Sequence, residues 1–181
     1  YDHNFYWEDL NKKTNLGKFY QKFFLYPILK KNIKGKLIDI GAGLGDFCKF
    51  YTNSVAADIN KFSVENYKKR NLEGTLIVNN KINYNDFTFD TAILDNVLEH
   101  IYDPLPLLKE VKRILNKNGR LIIGVPGRKG YESDFDHKVF YDEKNLIRLL
   151  SELNFQVKKV FYTPFKSDLL NDNSKIYCLY A

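Results

Sequence analysis

Short apolar runs alternate with amphipathic stretches along most of the chain. Residues 37–40, 55–57, 76–78, 91–94 and 120–125 are rich in Leu, Ile, Val and Ala and are bounded by Gly, Asp or Asn, as buried strands are. Between the second and third runs, residues 61–71 read as a helix. A second helix carries explicit boundary signals, with Asp103 as N-cap, Pro104 at the first helical position, and Leu108, Val111 and Leu115 at helical spacing before Asn118-Gly119. A third follows Asp142, with Leu146, Leu149, Leu150 and Leu153 on one face. Residues 156–162 and 176–180 are the last strand candidates, joined by a loop into an antiparallel edge hairpin. Near the start, residues 5–26 read as an aromatic-rich helix that ends at Pro27 and packs Phe19, Phe23 and Tyr26 into the core. Seven strands alternating with helices predict an α/β fold, a mostly parallel sheet with helices on both faces. Residues 1–35 are expected as an N-terminal helical cap, and residues 36–181 as the ligand-binding domain.

Composition narrows the function classes. A chain of 181 residues, 44% hydrophobic and 28% charged, suits one globular domain with a sizeable core. Its apolar runs are all far shorter than the ~18 residues of a membrane helix. The opening residues, with aspartates and a tryptophan, do not read as a secretory signal. Met is absent even at position 1, so the sequence reads as a piece of a longer one or as an edited one. Cys48 and Cys178 are far apart without metal-like spacing, which reads as reduced thiols in a cytoplasmic protein. The net charge of +6 raises a nucleic-acid partner. However, Lys12-Lys13, Lys30-Lys31, Lys68-Lys69 and Lys158-Lys159 are scattered pairs rather than a stripe, so a small-molecule acceptor is expected instead.

The candidate chemistry begins with L-I-D-I-G-A-G-L-G at residues 37–45. In open α/β sheets ligands bind at the carboxyl ends of the strands, where this loop falls. Gly41 and Gly43 allow a tight turn and close approach to a ligand, and Asp58 ends the second strand, where a carboxylate can accept both hydroxyls of a ribose. A dinucleotide loop needs its third glycine at position 46, which is Asp46, and an aspartate there opposes a pyrophosphate. Asp39 and Asp46 suit a cationic ligand, which favours S-adenosylmethionine (SAM) over a dinucleotide.

Four motifs in order then resemble the class I SAM-dependent methyltransferases: the glycine loop, A-A-D-I-N at 56–60, F-D-T-A-I-L-D-N-V-L-E-H-I at 89–101, and E-V-K-R-I-L-N-K-N-G-R-L-I-I-G-V-P at 110–126. The resemblance implies a Rossmann-like seven-stranded sheet, with residues 36–181 as the SAM-binding methyltransferase domain. It also implies that Gly41, Ala42 and Gly43 hold the methionine moiety, Asp58 holds the ribose and Ile59 packs on the adenine. Asn79 and Asn80 occupy the stretch where the family often places an adenine-binding aspartate, and Asp95 lies near the transferred methyl.

Asn96 to His100 (N-V-L-E-H) and Asp136 to Tyr141 (D-H-K-V-F-Y) narrow the resemblance to quinone-biosynthesis O-methyltransferases and small-RNA ribose methyltransferases. In those, E-x-x-E-H and a later histidine converge beside the acceptor, in some members around a divalent metal. Glu99, His100 and His137 match, while Asn96 replaces the first glutamate. Two chemistries stay open. A histidine can take the proton of an alcohol or phenol, or two histidines and a carboxylate can hold a cation that lowers the acceptor's pKa. Residues 127–135 are expected as a loop bordering the acceptor, and Phe5, Tyr6, Trp7 and Tyr131 could cover a ring-shaped one. The expected function is methyl transfer to an oxygen of a phenolic, quinone-related or sugar acceptor. RNA ribose methylation and a non-catalytic SAM-binding scaffold are the alternatives.

Overall fold

A computed structural model describes residues 15–163 and 175–180. Phe5, Tyr6 and Trp7 lie outside them. The chain enters through helix α1 (Asn15–Tyr20), passes through one π-helical stretch (Gln21–Leu25) and continues as α2 (Tyr26–Lys30). Pro27, expected to stop the helix, sits instead in the first turn of α2. The wide π-turn just upstream relieves the clash and missing hydrogen bond that a proline brings to a helix interior. Tyr26 is buried as expected, whereas Phe19 and Phe23 are more than half exposed and pack on each other with tilted rings, 4.6 Å between centres.

The remaining elements are β1 (Leu37–Ile40), α3 (Asp46–Phe50), β2 (Ser54–Asp58), α4 (Lys61–Lys69), β3 (Gly74–Val78), β4 (Lys81–Ile82), β5 (Phe89–Asp95), α5 (Leu105–Ile114), β6 (Leu115–Val125), α6 (Arg128–Glu132), α7 (Glu143–Ser151), β7 (Val157–Thr163) and β8 (Lys175–Tyr180). They form one sheet in the order β4-β3-β2-β1-β5-β6-β8-β7. Strands β3, β2, β1, β5 and β6 run parallel. The late strands pair antiparallel as expected, with β8 between β6 and the edge strand β7. The sheet has eight strands rather than seven because Asn79 and Asn80 turn the chain back after β3 to form β4. Both take positive φ, 50° and 59°, the conformation that tight hairpin turns demand and asparagine tolerates. Residues 127–135 likewise contain a short helix, α6, where a loop is predicted.

Alternation along the strands sorts the core into two layers. Ile38, Ile40, Ala92, Leu94, Leu121 and Ile123 pack with Leu108, Val111, Leu146 and Leu150 of α5 and α7. Leu37, Ile93 and Ile122 point the other way, against Leu25, Tyr26 and Leu29 and against Phe47 of α3. No helix among the described residues is long and apolar enough to cross a membrane. Strand order reverses at β1, which has β2 on one side and β5 on the other. Such switch points open a crevice at the carboxyl ends of the strands, and the candidate site is built there.

Candidate functional site

Two clusters meet at this crevice. The first is the glycine loop after β1. Gly41, Gly43 and Gly45 have φ of 72°, 55° and 74°, left-handed values that favour glycine. The turn is anchored to β2 by Gly41 N and Ala42 N, which donate to the Ala57 carbonyl at 2.8 and 3.1 Å. Asp58 completes the tie: its Oδ2 accepts from Gly43 N at 2.9 Å, and its Oδ1 accepts from Asn60 N at 2.9 Å. Asp58 is only 2% exposed, and burial pushes its carboxyl above the ordinary value. Asn60 caps α4 by accepting from Phe62 N at 2.9 Å, leaving Ile59 exposed beside the loop. Asp39 is buried, 3.8 Å from the Cys48 sulfur, and burial and this carboxylate together push the thiol well above its usual range.

Asp46, read from sequence as an open charge favouring a cation, is committed elsewhere. Arg70 donates to its Oδ1 at 2.7 Å and also reaches the Leu44 carbonyl. The sequence carries no signal for this pairing. Asn79 and Asn80 lie on the exposed turn after β3, at the same carboxyl edge of the sheet.

The second cluster follows β5. Asp95, the last residue of the strand, accepts from the Tyr177 hydroxyl at 2.8 Å and has Lys175 Nζ at 3.7 Å. Gly124 makes room for this pair, since a side chain there would run into both Asp95 and Tyr177. The chain then turns at Asn96 and Val97 into a single 3-10 turn (Leu98–His100) carrying Glu99 and His100. Val97 touches the first cluster: a methyl group added to Gly41 would lie 2.5 Å from its Cγ2.

His137 arrives from the segment after α6. Lys138 N and Val139 N both donate to the Glu99 carbonyl, at 2.6 and 3.1 Å, which seats this segment against the 3-10 turn. His100 and His137 come within 4.7 Å, ring centre to ring centre, and Tyr131 stacks on His137 at 5.4 Å. His137 Nε2 lies 4.0 Å from Glu99 Oε1 and 3.8 Å from Asp134 Oδ2. One ligand atom from each of Glu99, His100 and His137 lies within 4.8 Å of the others.

Glu99 is 1% exposed, and neither carboxyl oxygen has a hydrogen-bond partner among the described residues. Burial raises its pKa from 4.5 to about 8, Lys175 opposes the rise, and Asp95 and Asp134 add to it. An orphaned carboxyl in such a place costs free energy unless a positive partner or a proton satisfies it. The three residues singled out from sequence are therefore brought together. Sequence reasoning missed Asp134, Asp136 and the Tyr131 carbonyl, which surround the two rings. The adjacency of Asp136 to His137 in D-H-K was the one available hint.

Comparisons with known proteins agree with this architecture. Residues 6–160 match the family model of the methyltransferase domain. An uncharacterised protein of Methanocaldococcus jannaschii is 31% identical over 150 residues, covering 76% of this chain and 73% of the relative. Among solved structures, a SAM-dependent methyltransferase of Thermotoga maritima, described as a possible histamine N-methyltransferase, superposes with a TM-score of 0.74. It is 20% identical and the match covers 97% of this chain and 99% of that one. A SAM-dependent methyltransferase of Aquifex aeolicus gives 0.73 at 17% identity, covering 99% and 98%. A crevice at the β1 switch point, a glycine turn tied to the acid ending β2, and a family match over most of the chain lead to one conclusion: the chain belongs to the methyltransferase domain family and has the fold of the SAM-dependent methyltransferases.

Proposed function

We propose that the protein is an O-methyltransferase for a small phenolic, quinone-related or sugar acceptor, with Glu99, His100 and His137 forming the acceptor site around a divalent cation. One observation carries this reading: the two carboxyl oxygens of Glu99 are buried and, among the described residues, without a hydrogen-bond partner, next to two imidazoles, with ligand atoms of the three residues within 4.8 Å of one another. Two histidines and a carboxylate are a donor set for divalent metals, and a cation there would satisfy the orphaned oxygens.

For the donor, the reading assigns Gly41, Ala42 and Gly43, with buried Asp39, to the methionine end. Asp58 holds the ribose, Ile59 and the Asn79–Asn80 turn border the adenine, and Asp95 lies toward the methyl. SAM supplies an electrophilic methyl group on a cationic sulfur. The cation supplies Lewis acidity that lowers the pKa of an acceptor hydroxyl. The protein's own groups align and insulate. Gly41 and Val97 set the donor loop against the acceptor turn, and the bonds from Lys138 and Val139 to Glu99 hold the acceptor residues in place. Such alignment lowers the barrier to an in-line displacement by fixing the reacting groups in advance.

The test is transfer of labelled methyl from SAM to a panel of catechols, quinols, sugars and amines, after EDTA treatment and after restoring Mg²⁺, Mn²⁺, Co²⁺ or Zn²⁺. Loss of transfer to hydroxyl acceptors in EDTA, with recovery on one of the cations, is expected. Turnover indifferent to EDTA, or confined to amines, overturns the reading.

A further inference from the structure

A neutral imidazole donates through one ring nitrogen and keeps its lone pair on the other, so the neighbour of one nitrogen dictates the chemistry of the second. His137 Nδ1 lies 2.8 Å from the Tyr131 carbonyl oxygen. A carbonyl only accepts, so Nδ1 carries the proton, and the lone pair sits on Nε2, the atom 4.0 Å from Glu99 Oε1. For His100 the partner is a side chain. Its Nδ1 lies 3.2 Å from Asp136 Oδ2, while Lys138 Nζ donates to the other oxygen, Oδ1, at 2.8 Å. An ammonium only donates and a carboxylate only accepts, so the His100 proton is also on Nδ1.

From this arrangement we infer that Asp136 is a positioning residue, which holds His100 in the Nδ1–H form and so leaves Nε2 as the ring's lone-pair atom for the cluster it forms with Glu99 and His137. The inference rests on the acceptor-site reading for its purpose, although the tautomer itself is independent of that reading. With the proton on Nε2 instead, His100 could neither bind a cation nor accept a proton through that atom. The two rings are thus aimed by different means: His137 by a backbone carbonyl that no substitution removes, His100 by a side chain that one substitution can invert. Residues 136–138 serve the whole cluster, since Asp136 orients one ring, His137 is the other, and Lys138 N holds the Glu99 carbonyl at 2.6 Å.

Asp136→Asn provides the decisive experiment because it preserves shape and reverses polarity. The amide oxygen remains the acceptor for the Lys138 ammonium, so the amide NH₂ faces His100 and donates to an unprotonated Nδ1, forcing the proton to Nε2. The chain has three histidines, so ring ¹⁵N resonances can be assigned by single replacements of His3, His100 and His137. In cation-free protein at a pH where the rings are neutral, the His100 shifts are expected to exchange between D136N and wild type, with His137 unchanged. Lys138→Met removes the ammonium but leaves the carboxylate, and should keep the wild-type His100 pattern. Cation affinity, titrated with Zn²⁺ or Co²⁺ in the absence of SAM and acceptor, should fall about 10–100-fold in D136N. His100 remaining Nδ1–H in D136N overturns the inference. A tautomer that follows residue 136 in a wild type that binds no cation supports the positioning role while removing the cation from the proposed function.

Discussion

Gly41→Ala tests whether the glycine loop after β1 and the turn after β5 are one packed unit. Two penalties arise at that position. The φ of 72° is left-handed, which costs a residue with a Cβ about 1–2 kcal/mol. The added methyl would also lie 2.5 Å from Val97 Cγ2, and forcing a methyl into packed space costs about 1–3 kcal/mol. Alanine recovers about 0.4–1 kcal/mol by restricting the unfolded chain, so the net loss should centre near ~3 kcal/mol. Val97 is partly buried. Shortening it to alanine removes two methyl groups worth about 0.8 kcal/mol each when fully buried, or roughly 1 kcal/mol here. In the double variant the steric part disappears and the backbone part stays. Gly41→Ala/Val97→Ala should therefore be at least ~1 kcal/mol more stable than the sum of the single changes. Urea unfolding of the four proteins, with equal m-values, measures this directly. A coupling below ~0.5 kcal/mol would mean that the two loops do not press on each other, and the alignment argument would lose its structural basis.

Two buried carboxyls predict opposite pH dependences. Glu110 accepts from Arg113 at 2.7 and 3.0 Å, from Lys81 at 3.0 Å and from Ile82 N at 2.8 Å, and Arg113 above all lowers its pKa from 4.5 to about 2. Its contribution is present above about pH 4.5 and is lost as pH falls through 2, with ~3 kcal/mol as the linkage ceiling. Glu110→Gln should thus be clearly destabilising at pH 7 and nearly silent at pH 2, and equal destabilisation at both would refute the ion pairing. Glu99 runs the other way. Its contribution is present below about pH 4.5 and is lost as pH rises through 8, so Glu99→Gln should flatten the fall in stability of cation-free protein between pH 5 and 8; an unchanged slope would place the titration elsewhere. Asp58→Ala should weaken SAM binding by ~1.5–3 kcal/mol per lost charged hydrogen bond, read by calorimetric titration, and unchanged affinity would move the ribose to another residue.

Much of the fold was legible because period and punctuation are local properties. The apolar runs around Ile38, Ala56 and Ile93 became parallel strands, and the Asp142 cap opens its helix by accepting from Asn145 N at 2.7 Å. Asn79-Asn80 carries its turn chemistry in plain view, yet the sequence reading gives the pair a ligand contact alone and does not include the bend that adds β4. Glu99, His100 and His137 could be nominated from residue type and order. Their convergence, however, depends on the segment around Lys138 pairing with Glu99 across about forty residues, and no periodicity encodes such a contact.

What the sequence determined alone was the alternation of elements, the glycine turn and the acid that ends β2, because each follows from backbone sterics or side-chain period within a few residues. Only the tertiary structure decided that Asp46 is neutralised by Arg70, that Glu99 is buried without a hydrogen-bond partner among the described residues, and which nitrogen of each histidine carries the proton. Those properties are set by burial and by the partner across space, and both exist only once distant segments have packed.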